Sequence, residues 1–128
     1  MLGWAAFIVY GSWVPLNFQP REFLPIWAEL WHLPSAGVLQ GQRLDTAVNV
    51  LLTMPLGFGL ALLWAGPVSR APGLVRAGIV LLMVPLSVAV EVGQGVLPSR
   101  NPSLGDVLAQ AVGTTLGLCL QALFGRRV

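Results

Sequence analysis

The chain has 128 residues, of which 55% are hydrophobic and only 9% charged, with a formal net charge of +2. A soluble domain carries about 25% charged residues, so the composition argues against a water-soluble domain and for a membrane protein built as one domain. The seven basic residues, all arginine, are too scattered to suggest a nucleic-acid partner, and the single cysteine excludes an internal disulfide.

A membrane-crossing helix needs roughly 20 mostly apolar residues, and four segments qualify as candidates. The first, Met1 to Phe18, is the shortest. It lacks a basic leading region and an A-x-A site, so it is expected to be a retained helix and not a cleaved signal. The connection that follows is too polar to span. Within it, "FLPIWAELW" spaces Phe23, Trp27 and Trp31 four apart. That spacing predicts a short helix lying in the interface, where tryptophan rings are favoured. His32 follows directly and is expected to be solvated. The second span runs from Thr46 to Gly66 and ends in a Pro/Gly-rich turn, "GPVSRAPG". The third runs from about Leu74 to Leu97 and turns polar at Glu91. After "LPSRNPS", the fourth runs from Leu104 to Gly125. Cys119 lies in its apolar part and is expected to be a packed small side chain. The fold class expected is therefore all-α, with four transmembrane helices and one interfacial helix between the first and second.

Arginine placement sets the expected orientation. Four spans put both termini and the middle loop on one side, with Arg70, Arg76, Arg126 and Arg127. The other side has Arg21, Arg43 and Arg100. Both termini are thus expected to be cytoplasmic.

This topology brings polar residues together. Asp45 and Asn49 stand one turn apart at the outer end of the second span. Glu91 and Gln94 do so at the outer end of the third, and Asp106 and Gln110 at the outer end of the fourth. Spacings of three or four place each pair on one helical face. Six polar groups are expected to converge on an outward-opening pocket with Arg43 and Arg100 at its rim. Glu91 follows an apolar run from Ala77 to Val90, about 20 Å along a helix. A charge near the membrane centre costs about 2.5–3.5 kcal/mol or more, and such residues usually face a cavity or a partner. Each residue also has a local structural use. Ser103-x-x-Asp106 has the form of a capping box, Asp45 fits a helix N-cap, and Glu91 with Arg100 could be a structural ion pair. Pro55 and Pro85 can kink the second and third spans. Gly113-x-x-x-Gly117 allows close helix approach, first of all inside the bundle.

The segment "RLDTAVNVLLTMPLGFGLAL" resembles the D-x-x-x-N…P-L-G stretch of VanZ-like membrane proteins. "VEVGQGVLPSRNPSLGDVLAQAVGTTLG" is similar to their E-x-x-Q…R…D-[VL]-x-x-N-x-x-G-x-x-x-G stretch. The matching positions are Asp45, Asn49, Pro55, Gly57, Glu91, Gln94, Arg100, Asp106, Gly113 and Gly117. Gln110 departs from the pattern, since the family usually has Asn there. The resemblance implies a small bacterial membrane protein of a family associated with resistance to glycopeptide antibiotics, notably teicoplanin.

No P-loop, HExxH, Cys/His cluster or Ser–His–Asp set is present. The leading expectation is a protein that acts on or binds an envelope lipid or a lipid-linked headgroup. Arg43 and Arg100 would bind phosphate, with Asp45, Asn49, Gln94 and Gln110 completing the binding site. Glu91 or Asp106 would move a proton, or hold a divalent cation with Gln94; no other cofactor is expected. Two alternatives stand beside it. One is a non-catalytic accessory or antibiotic-binding subunit whose polar cluster is structural. The other is a small transporter, which would need a homo-oligomer because the chain has no inverted repeat.

Overall fold

The computed structural model describes residues 2–14, 16–32, 39–64, 72–98 and 101–124, with only the backbone of 39–43. Among the described residues all regular structure is helical. The elements are α1 (Leu2–Trp13), α2 (Phe23–Trp31), α3 (Leu39–Trp64), α4 (Pro72–Gln94) and α5 (Leu104–Phe124). Among the described residues three helices are long and apolar enough to cross a membrane: Leu44–Trp64, Pro72–Gln94 and Leu104–Phe124. At 1.5 Å per residue each rises about 31–35 Å, which matches a hydrocarbon core of roughly 30 Å. α1 has 12 residues, or about 18 Å of helix, and covers only one half of the bundle.

The bundle is polar inside and apolar outside. Thr53, Ser87, Glu91, Gln94, Gln110, Thr114 and Gln121 are buried, whereas Leu51, Leu63, Leu81, Leu82, Leu108 and Leu123 are exposed. Water would reverse that distribution. Lipid favours it, because an apolar exterior costs nothing there and polar side chains find partners on neighbouring helices. A small apolar core of Leu56, Ala61, Ile79, Met83 and Leu118 fills the middle.

α3 and α5 form the tightest pair. The cause is three glycines. A Cβ added at Gly57 would collide with the Thr114 carbonyl oxygen, one at Gly113 with the Val50 carbonyl oxygen and Thr53 Oγ1, and one at Gly117 with the Met54 carbonyl oxygen. The Gly113–Gly117 pair thus packs inside the bundle, as the small-residue pattern suggests. Both prolines lie within continuous helices, Pro55 in α3 and Pro85 in α4. Pro55 deprives the Leu51 carbonyl of its helical donor. One residue along, the Trp4 indole N–H donates to the Leu52 carbonyl at 2.9 Å. A side chain of α1 therefore ties that helix to α3 beside its proline.

α1 buries no residue completely. Ala5 and Ile8 pack against the apolar core, and polar tethers add to this: Trp4 to Leu52, Trp13 Nε1 to the Val90 carbonyl at 3.4 Å, and Gln94 Nε2 to the Ser12 carbonyl at 3.2 Å. Trp13 also lies against Gly93, where a Cβ would stand 2.8 Å from its ring. The chain leaves α1 through Leu16, whose φ of 62° is uncommon for a residue with a Cβ.

α2 sits across the end of α4. Ile26 and Leu30 are buried, and a Cβ at Gly95 would collide with Ile26. Phe23, Trp27 and Trp31 face out and contact one another as a ladder of rings. Arg21 ties the junction together. It donates to the Gly95 carbonyl at 2.9 Å and pairs with Glu29 at 2.7 Å.

Candidate polar cavity at one end of the bundle

The ends of α1 and α4 and the starts of α3 and α5 meet at the same end of the bundle. They enclose a cavity of about 230 Å³, lined by Asp45, Asn49, Gln94 and Asp106 and, from α1, by Phe7, Ile8, Gly11 and Ser12. That volume corresponds to roughly seven or eight liquid waters. Its lining is mixed: the acidic and amide side chains share it with the apolar Phe7, Ile8, Val48 and Leu52.

Asp45 is exposed and Asn49 half-buried, one turn apart on α3. Asp45 was expected to fit a helix N-cap. It lies instead in the second turn, because α3 begins at Leu39. Its carboxylate is therefore not needed to cap this helix. Gln94 is buried and spends its amide N–H on the Ser12 carbonyl, which fixes α1 as the fourth wall. Asp106 is half-buried in the first turn of α5, where an acid is favoured by the helix dipole.

Glu91 and Gln110 stand behind this cavity. Glu91 is 1% exposed. Its Oε1 accepts from Gln110 Nε2 at 3.2 Å and its Oε2 from the Ser103 backbone N–H at 3.1 Å. Ser103 is the residue before α5, and its N–H is the one a capping-box acid would take. An acid from another helix performs that task, which joins the ends of α4 and α5 and positions Asp106. Glu91 and Asp106 also have contacts beyond those named. Gln110 faces a second, small apolar cavity beneath α1 with Thr53 and Ser87.

Arg100 and the side chain of Arg43 lie outside the described residues. His32 is exposed at the end of α2. Among the described residues no three His, Cys, Asp or Glu side chains group to hold a metal ion.

A family model described as VanZ/LLP1 matches residues 2–125. The chain belongs to the VanZ/LLP1 family. No curated protein and no solved structure matches it. Eight of the ten VanZ-like positions recognised in the sequence fall into three structural groups, with Pro55 inside α3 and Arg100 outside the described residues. Asp45, Asn49, Gln94 and Asp106 line the cavity, Glu91 supports it from behind, and Gly57, Gly113 and Gly117 form the seam between α3 and α5. Gln110, where VanZ-like proteins usually have Asn, uses its amide to reach Glu91.

The share of α1 in this cavity was not legible in the sequence. Gly11 and Ser12 are small residues at a helix end, which is a faint signal. Ser12 contributes a backbone carbonyl to Gln94, and a carbonyl leaves no trace in residue type. Arg21 was noted only for its charge, yet it fastens α2 to the end of α4.

Proposed function

We propose that this protein is a multi-pass membrane protein that binds or acts on the headgroup of an envelope lipid or lipid-linked molecule in its polar cavity. The observation that carries this reading is the meeting of Asp45, Asn49, Gln94 and Asp106 around one space whose lining also includes the apolar Phe7, Ile8, Val48 and Leu52. A few convergent polar groups among apolar side chains are the usual make-up of a small-molecule site. The volume suits a polar headgroup and is far too small for a glycopeptide antibiotic. Asp106 is the group to accept or donate a proton to the ligand. Glu91 is a positioning residue, since it holds Gln110 and the start of α5. Arg43 and Arg100 are the phosphate-binding candidates, Arg being suited to bidentate contact.

In this proposal α1 is the fourth membrane element and α2 lies in the interface. The outward ladder of Phe23, Trp27 and Trp31, over buried Ile26 and Leu30, supports that placement. The arginine distribution supports cytoplasmic termini and a cavity on the outer face. Cysteines at Ser69 and Ser99, in a Cys119→Ala background, test the orientation. An impermeant thiol reagent added to intact cells should label position 99 and leave position 69 unlabelled. The opposite pattern would place the cavity on the cytoplasmic face.

The cavity itself is tested by plugging it. A Cβ at Gly11 meets nothing within 4 Å, so Gly11→Phe should fill the space without displacing α1. Asp106→Asn removes the charge and keeps the shape. Both variants should give normal folded yield in detergent. Both should lose the effect on teicoplanin susceptibility in a host where the wild type changes it. Full activity in both would leave a structural polar cluster and favour the accessory-subunit reading, which the engagement of Glu91 by Ser103 and Gln110 already favours for that one residue.

A further inference from the structure

At the other end of the bundle a second polar pair interrupts the apolar exterior. Arg76 lies one turn inside α4, about 22 Å along the helix from Glu91. Its Nη2 donates to Gln121 Oε1 of α5 at 2.8 Å, and Gln121 is 3% exposed. The bond pins the guanidinium at the junction of α4 and α5. It uses one of the five N–H donors of the side chain. The Nε–H is buried and has no acceptor among the described residues. An arginine in a span without a full set of partners calls for an explanation.

Beside Arg76 an apolar groove of about 240 Å³ runs between the two helices, walled by Ala77, Val80, Leu118 and Ala122. It exists because alanines stand where larger side chains would close it. The groove opens on the outer surface of two helices long and apolar enough to cross a bilayer, where Ala77 and Cys119 are exposed.

We propose that this groove seats an anionic phospholipid, with its phosphate on Arg76 and one acyl chain between α4 and α5. The chain covers the apolar walls. The phosphate oxygens accept from the Nη donors not used by Gln121, since Arg is suited to phosphate. Arg76 lies about 6 Å inside the start of its span, from where a long side chain can reach towards the phosphate level by snorkelling. Basic pockets between membrane helices are known to hold anionic headgroups in this way. The proposal rests on the membrane reading of α3 to α5 and is independent of what the polar cavity binds.

The test uses the full chain purified in a non-ionic detergent and mixed with equal amounts of phosphatidylglycerol and phosphatidylcholine of identical acyl chains. Native mass spectrometry counts the lipid retained. The wild type should retain phosphatidylglycerol with roughly tenfold preference, because both lipids offer a phosphate but only phosphatidylcholine adds an ammonium that Arg76 repels. Arg76→Gln should abolish the preference, and Arg76→Lys should keep part of it. Ala77 is exposed, so Ala77→Phe should fold and, by filling the groove, should reduce retention of both lipids. If Arg76→Gln fails to fold, the Ala77→Phe result decides. Equal retention of the two lipids by the wild type overturns the proposal. So does a preference unchanged in Arg76→Gln, or full retention in Ala77→Phe. Any of these would leave Arg76–Gln121 as an interhelical bridge and would leave the polar-cavity reading untouched.

Discussion

Gly117→Leu is expected to abolish the folded bundle. The Cβ alone would collide with the Met54 carbonyl oxygen and stand 2.6 Å from the Phe58 backbone nitrogen. Both obstacles are main chain of α3, so no rotamer change relieves them. α3 and α5 would have to move apart along their whole seam, which also places Gly57 against Thr114 and Gly113 against Val50. Overpacking a well-packed interior typically costs about 1–3 kcal/mol, occasionally more. A collision with backbone belongs at or above the top of that range, and membrane helices have only packing, hydrogen bonds and lipid entropy to hold them together. The measurement is folded, monodisperse yield in detergent together with thermal unfolding. Gly113→Leu should behave similarly. Gly78→Leu is the matched control, because a Cβ there meets nothing within 4 Å. It should be neutral or slightly stabilising, since Leu favours the helix over Gly. Wild-type unfolding in Gly117→Leu would show that the seam between α3 and α5 is not built as described.

Glu91→Ala is expected to have the next largest effect on stability, and Glu91→Gln a small one. The carboxylate is buried and accepts the Gln110 amide and the Ser103 N–H. Alanine leaves both donors without that acceptor and opens a void. An orphaned buried polar group costs about 1–3 kcal/mol. An average interhelical hydrogen bond in a membrane is worth only about 0.6 kcal/mol, because the unfolded helices find other partners. Two orphaned groups and a void together should exceed about 2 kcal/mol even when the membrane discount is applied. Glutamine can be accommodated. Its amide oxygen can accept from Ser103, and its amide nitrogen can donate to Gln110 once that side chain turns its own oxygen inward. Thermal unfolding in detergent should therefore rank wild type and Glu91→Gln close together, with Glu91→Ala well below. Equal stability of Glu91→Ala and Glu91→Gln would remove Glu91 from the framework of the cavity.

The sequence by itself pointed to an all-helical protein with four candidate membrane spans and six polar residues gathering towards one end. Composition and period suffice for this. Among the described residues three of those segments form helices long enough to cross a membrane, and the first forms a helix of only 12 residues. A run such as Ala77 to Val90 has few stable alternatives to a helix in lipid, and its length fixes where Glu91 comes along the axis. The glycine pattern of the fourth span likewise announced a close approach. Tertiary structure decided what each polar residue faces. Helical spacing places Glu91 and Gln94 on one side of α4, but neighbouring positions on that side point in different directions. Packing turned Gln94 to the cavity and Ser12, and Glu91 to Ser103 and Gln110. Tertiary structure also extended α3 back to Leu39, which took Asp45 out of the capping position. It brought α1 in as a wall through bonds from Trp4, Trp13 and Gln94 to backbone carbonyls. Periodicity encodes depth and an approximate face for each residue on its own helix. The partner across the gap depends on how the helices are rotated against one another, and here that rotation is set by the glycine seam between α3 and α5.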